Sequence, residues 1–219
     1  MYKYRLLDTP WNTSRMLDQL KINQVQTVVR YYDFNHSVDL PEKRLLLPEA
    51  QEISQAGMDL LVIANSNAKK VGELSRRLGM KEGMRAAYYA KTGIGQPEGS
   101  AIYFAVDFDV TEEEVEKYMA PYFEGIQQAF REMGEGPLPY QIGAFGSGLV
   151  VQSLFAKGLI NLRWLSGNVQ ARGTMDVMFK GNYELRQIAS TSKQTTISNR
   201  PITFDEANQK SKGIGSFRL

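Results

Sequence analysis

At 219 residues the chain is long enough to bury an extensive core without metals or disulfides, and it reads as one domain spanning residues 1–219. It has no cysteine, which excludes a thiol nucleophile, cysteine-ligated zinc and a disulfide framework. A formal net charge of +2, with no basic run interleaved with aromatics, argues against nucleic acid as a partner.

The opening MYKYRLLDTPW carries charges at Lys3, Arg5 and Asp8 and lacks the apolar centre of a signal peptide. No later stretch approaches a membrane-spanning length, so neither a standard export signal nor membrane insertion is expected. Tyr4 to Leu7 reads as a short strand ending at Asp8, and Asn12-Thr13-Ser14 as the cap of a helix running to about Leu20. Val25 to Tyr31, rich in branched and aromatic side chains, predicts a second strand whose end displays Arg30, Tyr31 and Asp33. Arg30 within VVRYYD is either a buried partner of a carboxylate or a surface residue on a one-sided strand, and the adjacent aspartates favour pairing.

Pro48-Glu49-Ala50 opens a helix, Gly57 closes it where a left-handed residue is wanted, and Met58 to Ala64 is the third strand. Between Asn65 and Gly95 the chain is rich in lysine and arginine. It predicts two helical patches there, Val71 to Leu78 and Met84 to Lys91, with their charges on a solvated face.

The stretch SAIYFAVDFDV, Ser100 to Val110, follows. Its apolar run Ala101 to Val106 suits a strand covered on both faces, and the run breaks into two carboxylates, Asp107 and Asp109. Residues two apart on a strand share a face, which would set those carboxylates about 7 Å apart at the strand's C-terminal end. Close carboxylates repel one another's ionisation, so one can stay an acid while the other is a base. Aspartates at such a turn also serve only to cap or order a loop, and both readings stand on this stretch alone. Thr111-Glu112-Glu113-Glu114 is a capping box, so a helix begins there, with Val115, Met119, Tyr122, Phe123, Ile126 and Phe130 forming one apolar stripe.

Tyr140 to Phe145 is a further strand, followed by the turn Gly146-Ser147-Gly148, a short helix Leu149 to Ala156 stopped near Gly158, and a strand from Leu159 to Leu165 bearing Trp164. Tyr183 to Ile188 and Ile202 to Phe204 are weaker strands around the Ser/Thr-rich loop Ser190 to Ser198. Strand and helix alternate through the first two-thirds, which favours an α/β barrel of parallel strands. Little room is left for a helix between Leu165 and Tyr183, so the last third is expected to be shortened and irregular.

Gly143 to Gly148 lacks both the Lys-Ser/Thr of a phosphate loop and the glycine spacing of a nucleophile elbow, since Phe145 occupies a required glycine position. The one histidine, His36, sits in a polar loop, and histidine metal ligands are otherwise wanting. A calcium site of Asp107, Asp109 and backbone oxygens is the one metal reading the residues leave open, with nothing further in the sequence to support it, so no metal and no cofactor are expected.

IYFAVDFDV, then a helix, then YQIGAFGSG resembles the bacterial glycoside-hydrolase-like domain family, formerly a domain of unknown function, which is related to the family-25 lysozymes. Asp8 before a helix, Arg30-Tyr31, Leu47-Pro48-Glu49, Ala56-Gly57-Met58, Ile94 to Pro97, Trp164-Leu165-Ser166, Leu185-Arg186-Gln187 and Asp205 to Asn208 match along most of the chain. The resemblance implies a TIM-type (β/α)8 barrel acting on the glycan strand of peptidoglycan. By it, Asp8, Asp107 and Asp109 are catalytic, with Asp109 as the acid and Asp107 and Asp8 stabilising positive charge or assisting the attacking group. Arg30, Tyr31, Tyr103, Trp164, Gln187 and Asp205 would surround the substrate. The lysozymes carry Asp-x-Glu where this chain has Asp107-Phe108-Asp109, and losing a methylene withdraws the acid by about 1.5 Å. A barrel that binds glycan without cutting it is the first alternative, and an antibacterial effector or phage-associated lytic protein delivered by another route is the second. Acting on the wall would place the chain in the periplasm or outside the cell; otherwise it is cytoplasmic.

Overall fold

The apolar runs that alternate or run unbroken in the sequence become strands wherever one face can be turned into a barrel and the other under a helix. In the computed structural model, which describes residues 5–34, 38–106, 108–134, 138–188 and 195–219, these are β1 (Arg5–Asp8), β2 (Val25–Tyr32), β3 (Asp59–Asn65), β4 (Ala101–Ala105), β5 (Gln141–Gly146), β6 (Leu162–Leu165) and β7 (Leu185–Gln187). A ribbon of β8 (Thr196–Ile197) and β9 (Arg200–Pro201) leads into β10 (Thr203–Ala207). Tyr4, His36, Asp107 and Ser190 to Gln194 lie outside the described residues.

The barrel closes in the order β1-β2-β3-β4-β5-β6-β7-β10, and β10 returns to β1. Neighbours from β1 to β7 run parallel, whereas β10 is antiparallel to both β7 and β1. This is the expected TIM-type barrel with an irregular last third, and the irregularity is a reversed eighth strand. A parallel return requires a crossover, usually helical. Between β7 and β10 the described residues supply only the ribbon, so β10 enters from the mouth, with Thr203 opposite Asp8.

Around the barrel lie α1 (Leu17–Ile22), α2 (Leu47–Gln55), α3 (Arg76–Tyr88), α4 (Glu112–Glu114), α5 (Ala120–Glu132), α6 (Gly148–Ala156) and α7 (Thr174–Lys180). The predicted capping box holds α4: the Glu114 N–H donates to Thr111 Oγ1 at 3.2 Å and the Thr111 N–H to Glu114 Oε2 at 2.9 Å. A π-helical turn, Val115–Met119, carries α4 into α5. The two helical patches expected before the central strand are one helix, α3, capped by Ser75 and prolonged by a π-helical turn, Tyr89–Ile94. Gly79 and Gly83 look like breaks in the sequence but are contact points. A Cβ on Gly79 would lie 1.8 Å from the Tyr122 carbonyl oxygen, so the missing side chain lets α3 and α5 touch backbone to backbone.

Alternation separates two cores. Leu7, Val28, Tyr32, Ile102, Phe104 and Ile142 point outward under the helices, while Leu6, Val29, Leu61, Ile63, Tyr103, Trp164 and Leu185 fill the barrel. The N-terminal end of the barrel is sealed by the C-terminal segment, where Leu60 and Phe217 exchange backbone hydrogen bonds of 2.8 and 2.9 Å and the Ala101 N–H donates to the Gly215 carbonyl at 2.8 Å.

Candidate active site

Because Leu6 faces inward, so does Asp8, two residues on and at the C-terminal end of β1. On β10 the inward residue opposite Leu6 is Asp205, and Thr203 stands opposite Asp8. The two carboxyl groups are therefore diagonal neighbours on the barrel's inner face, a spacing of about 7 Å between backbones. Asp8 Oδ2 accepts the Tyr31 hydroxyl at 3.0 Å, and Asp205 Oδ1 accepts the Trp164 indole N–H at 2.8 Å. The remaining oxygens, Asp8 Oδ1 and Asp205 Oδ2, are buried and have no hydrogen-bond partner.

That arrangement disfavours negative charge. Burial pushes the Asp8 carboxyl up to about 6, against the opposing pull of the Tyr31 hydrogen bond and the positive charges of Arg30 and Lys43. Asp205, fully buried, is held well above the ordinary carboxylate range by burial first and by the charge of Asp8 second, with the Trp164 bond pulling the other way. Both carboxyl groups are thus harder to ionise than a free aspartate, Asp8 doing so near pH 6. Burial, then the charge of Asp8, also keeps the Tyr31 hydroxyl protonated as its donor.

Above these residues a cavity of about 510 Å³ opens at the C-terminal ends of the strands, the usual place for chemistry in such barrels. Of the residues that the resemblance named for the site, Asp8, Tyr31, Trp164 and Gln187 line it, together with Lys43, Asn65, Ser66, Phe108 and Phe145. Trp164 stands edge-on to Phe145 at 5.1 Å and to Tyr103 at 5.6 Å, so its indole is held from two sides. Gln187 pairs across the ladder with Asp205, and its Oε1 accepts the Gly167 N–H at 3.4 Å.

Three expected site residues lie elsewhere. Arg30 is buried, as one of the two sequence readings had it, but it points outward under α2 and its carboxylate is Glu49 rather than a nearby aspartate. Arg30 Nε donates to Glu49 Oε1 at 2.8 Å and Nη2 to Oε2 at 3.1 Å. Tyr103 is inside the barrel beneath Trp164, with its hydroxyl donating to the Ile214 carbonyl at 3.0 Å toward the closed end. Asp109 is exposed and does not line the cavity; its Oδ1 faces the Arg172 N–H at 3.5 Å. The reason is that β4 ends at Ala105, so strand alternation does not carry through to residue 109. Phe108 turns into the cavity and Val110 into the outer core instead. Asp107 lies outside the described residues.

Asn65 and Phe145 were legible in principle, since Asn65 directly follows the strand predicted over Met58 to Ala64 and Phe145 ends the one predicted from Tyr140. Lys43 and Phe108 were not, because they lie in irregular segments without periodicity. Among the described residues no group of three or more histidine, cysteine or acidic side chains could hold a metal ion. No helix among them is long and apolar enough to cross a membrane.

Residues 18–209 match the family described as Rv2525c-like, glycoside hydrolase-like domain. YbfG, an uncharacterized protein of Bacillus subtilis, is 33% identical over 139 residues, covering 61% of this chain and 19% of YbfG, so the chain spans about a fifth of that relative's length. The crystal structure of the Mycobacterium tuberculosis Tat-secreted protein Rv2525c in complex with L-tartrate superposes with a TM-score of 0.79 at 15% identity, over 97% of this chain and 98% of that one. GHIP, a glycosyl hydrolase 25 of Streptococcus pneumoniae, superposes with a TM-score of 0.58 at 12% identity, over 94% of this chain and 88% of that one.

Proposed function

Because the chain belongs to the Rv2525c-like, glycoside hydrolase-like domain family, we propose that it is a glycosidase acting on the glycan strand of bacterial peptidoglycan. The observation that carries this reading is Asp8, a carboxyl group ionising near pH 6 in the wall of an aromatic-lined cavity at the barrel mouth. Tyr31, Phe108 and Phe145 are partly exposed and supply ring surface for a sugar, with Trp164 buried behind them, and Asn65, Ser66 and Gln187 supply neutral hydrogen-bonding groups.

In this mechanism Asp8 works as the carboxylate. Tyr31 fixes Oδ2, and Oδ1 is buried without a hydrogen-bond partner, so the group acts through its charge, as an oriented anion that stabilises positive charge developing at the sugar. Burial and the charge of Asp8 hold Asp205 toward its neutral form and Trp164 fixes its carboxyl, which favours Asp8 as the anion of the pair. We assign the proton donor to the Asp107-Phe108-Asp109 segment, with Asp107 ahead of Asp109, because Asp109 turns toward Arg172 and away from the cavity. The Tat secretion of Rv2525c supports a site of action outside the cytoplasm.

The test is release of soluble fragments from purified peptidoglycan, with masses recorded, by the wild type and by Asp8→Asn, Asp107→Asn and Asp109→Asn. Muropeptides from the wild type and from Asp109→Asn, with loss in Asp8→Asn and Asp107→Asn, is the expected pattern. A wild type that sediments with the wall and releases nothing would instead make this a glycan-binding barrel. The outward turn of Asp109 is the observation that favours that second reading.

A further inference from the structure

The cavity holds a cation that the mechanism does not use. Lys43 lies in the loop between β2 and α2, and among the described lining residues it is the only basic side chain. Its Nζ stands 4.9 Å from the centroid of the Tyr31 ring, the ring whose hydroxyl reaches Asp8. Its carboxylate neighbour is Asp33, with Oδ2 3.8 Å away, beyond hydrogen-bonding distance, and the Lys43 side chain is 17% exposed. No described residue accepts a hydrogen bond from Nζ. An ammonium group with free donors, partly withdrawn from water and one ring's breadth from Asp8, is equipped to hold an anion.

Among the described residues the far side of the cavity carries no charge: Asn65, Ser66 and Gln187 are neutral, and Phe108, Phe145 and Trp164 are aromatic. A sugar seated on Asp8 and Tyr31 therefore meets positive charge only where a ring substituent reaches Lys43. A neutral substituent there would strip water from an ammonium whose neighbouring carboxylate, Asp33, stands beyond hydrogen-bonding distance, which costs binding, whereas a substrate carboxylate would supply the missing acceptor.

We propose that Lys43 is a specificity-determining residue that binds a free carboxylate carried by the sugar lodged against Asp8. This rests on the glycosidase reading and narrows its substrate to acidic glycan. On peptidoglycan such a carboxylate is the lactyl group once the stem peptide has been removed, so an amide-bond hydrolysis supplies the preferred substrate, with peptide-bearing strands the weaker one.

Three glycans distinguish the possibilities: strands stripped of peptide by an amidase, the same strands with their carboxylates capped as methylamides, and neutral chitooligosaccharides. Binding is measured by calorimetry, and cleavage by fragment mass in the same samples, for the wild type, Lys43→Met and Lys43→Arg. The wild type should bind stripped strands about tenfold more tightly than capped ones, Lys43→Met should bind all three alike, and Lys43→Arg should keep the preference. Equal binding of stripped and capped strands by the wild type, an equal loss on all three in Lys43→Met, or no binding to any of them overturns the assignment. Preference without cleavage upholds Lys43 and removes the glycosidase reading, whereas cleavage without preference does the reverse.

Discussion

Arg30 and Glu49 form a buried ion pair with Nε 2.8 Å from Oε1 on the outside of the barrel, and this pair ties together the two loops that flank Asp8. Arg30 Nη1 donates to the Thr9 carbonyl at 2.8 Å and Nη2 to the Glu42 carbonyl at 2.7 Å, while Glu49 Oε1 accepts the Thr13 N–H at 2.7 Å. Thr9 follows Asp8, and Glu42 precedes Lys43. Removing one partner leaves the other charge buried and uncompensated, so Arg30→Met is expected to cost about 3–5 kcal/mol in denaturant unfolding. Replacing both partners together, Arg30→Met with Glu49→Met, should cost less than the single change. A double variant that is the less stable of the two would contradict the pairing.

Asp8 links stability to pH. Its folded-state value near 6 lies above the ordinary 3.8, so the unfolded chain ionises first as pH rises. The stability associated with this group is fully present below pH 3.8 and is lost as pH climbs through about 6. Asp8→Asn keeps an acceptor for Tyr31 and removes the charge. It should exceed the wild type by about 2–3 kcal/mol at pH 8 and match it at pH 3.5, read from urea midpoints at the two pH values.

The same ionisation sets the activity profile. If Asp8 works as the carboxylate, kcat/KM for fragment release should fall about tenfold per unit as pH drops below 6, because the protonated fraction grows. A profile that rises as pH falls through this range would instead assign Asp8 the acid role.

Trp164→Phe preserves most of the packing against Phe145 and Tyr103 but removes the donor to Asp205 Oδ1. Asp205 would then have neither oxygen satisfied, since Oδ2 already lacks a partner. A loss of about 1–3 kcal/mol is expected in thermal or denaturant unfolding. Trp164→Phe combined with Asp205→Leu should recover part of it, because the unpaired polar group is gone.

Gly79→Ala tests the contact of α3 with α5. The added methyl would meet the Tyr122 carbonyl oxygen at 1.8 Å, and backbone cannot yield as a side-chain tip can. A destabilisation of about 3 kcal/mol is expected, although alanine raises helix propensity. The control is Gly134→Ala, where no atom lies within 4 Å of the added carbon and little change should follow.

Local rules settled much of this protein. Branched and aromatic runs announce the strands, Thr111 and Glu114 announce a helix start, and alternation from Leu6 turns Asp8 into the barrel; the motif around IYFAVDFDV carries the family. These signals depend on residues close in the chain, where backbone periodicity dictates which side chains share a face. Tertiary structure decided the rest. Asp205 reaches Asp8 only because β10 enters reversed and closes the barrel against β1, and a long-range pairing of this kind leaves no periodic trace. Arg30 takes Glu49 because β2 turns that side chain out toward α2. Asp109 leaves the site because β4 stops at Ala105, and Lys43 joins it because a loop without periodicity folds back over Tyr31. Sequence periodicity names the face on which a side chain stands, but closure of the barrel decides what it meets there.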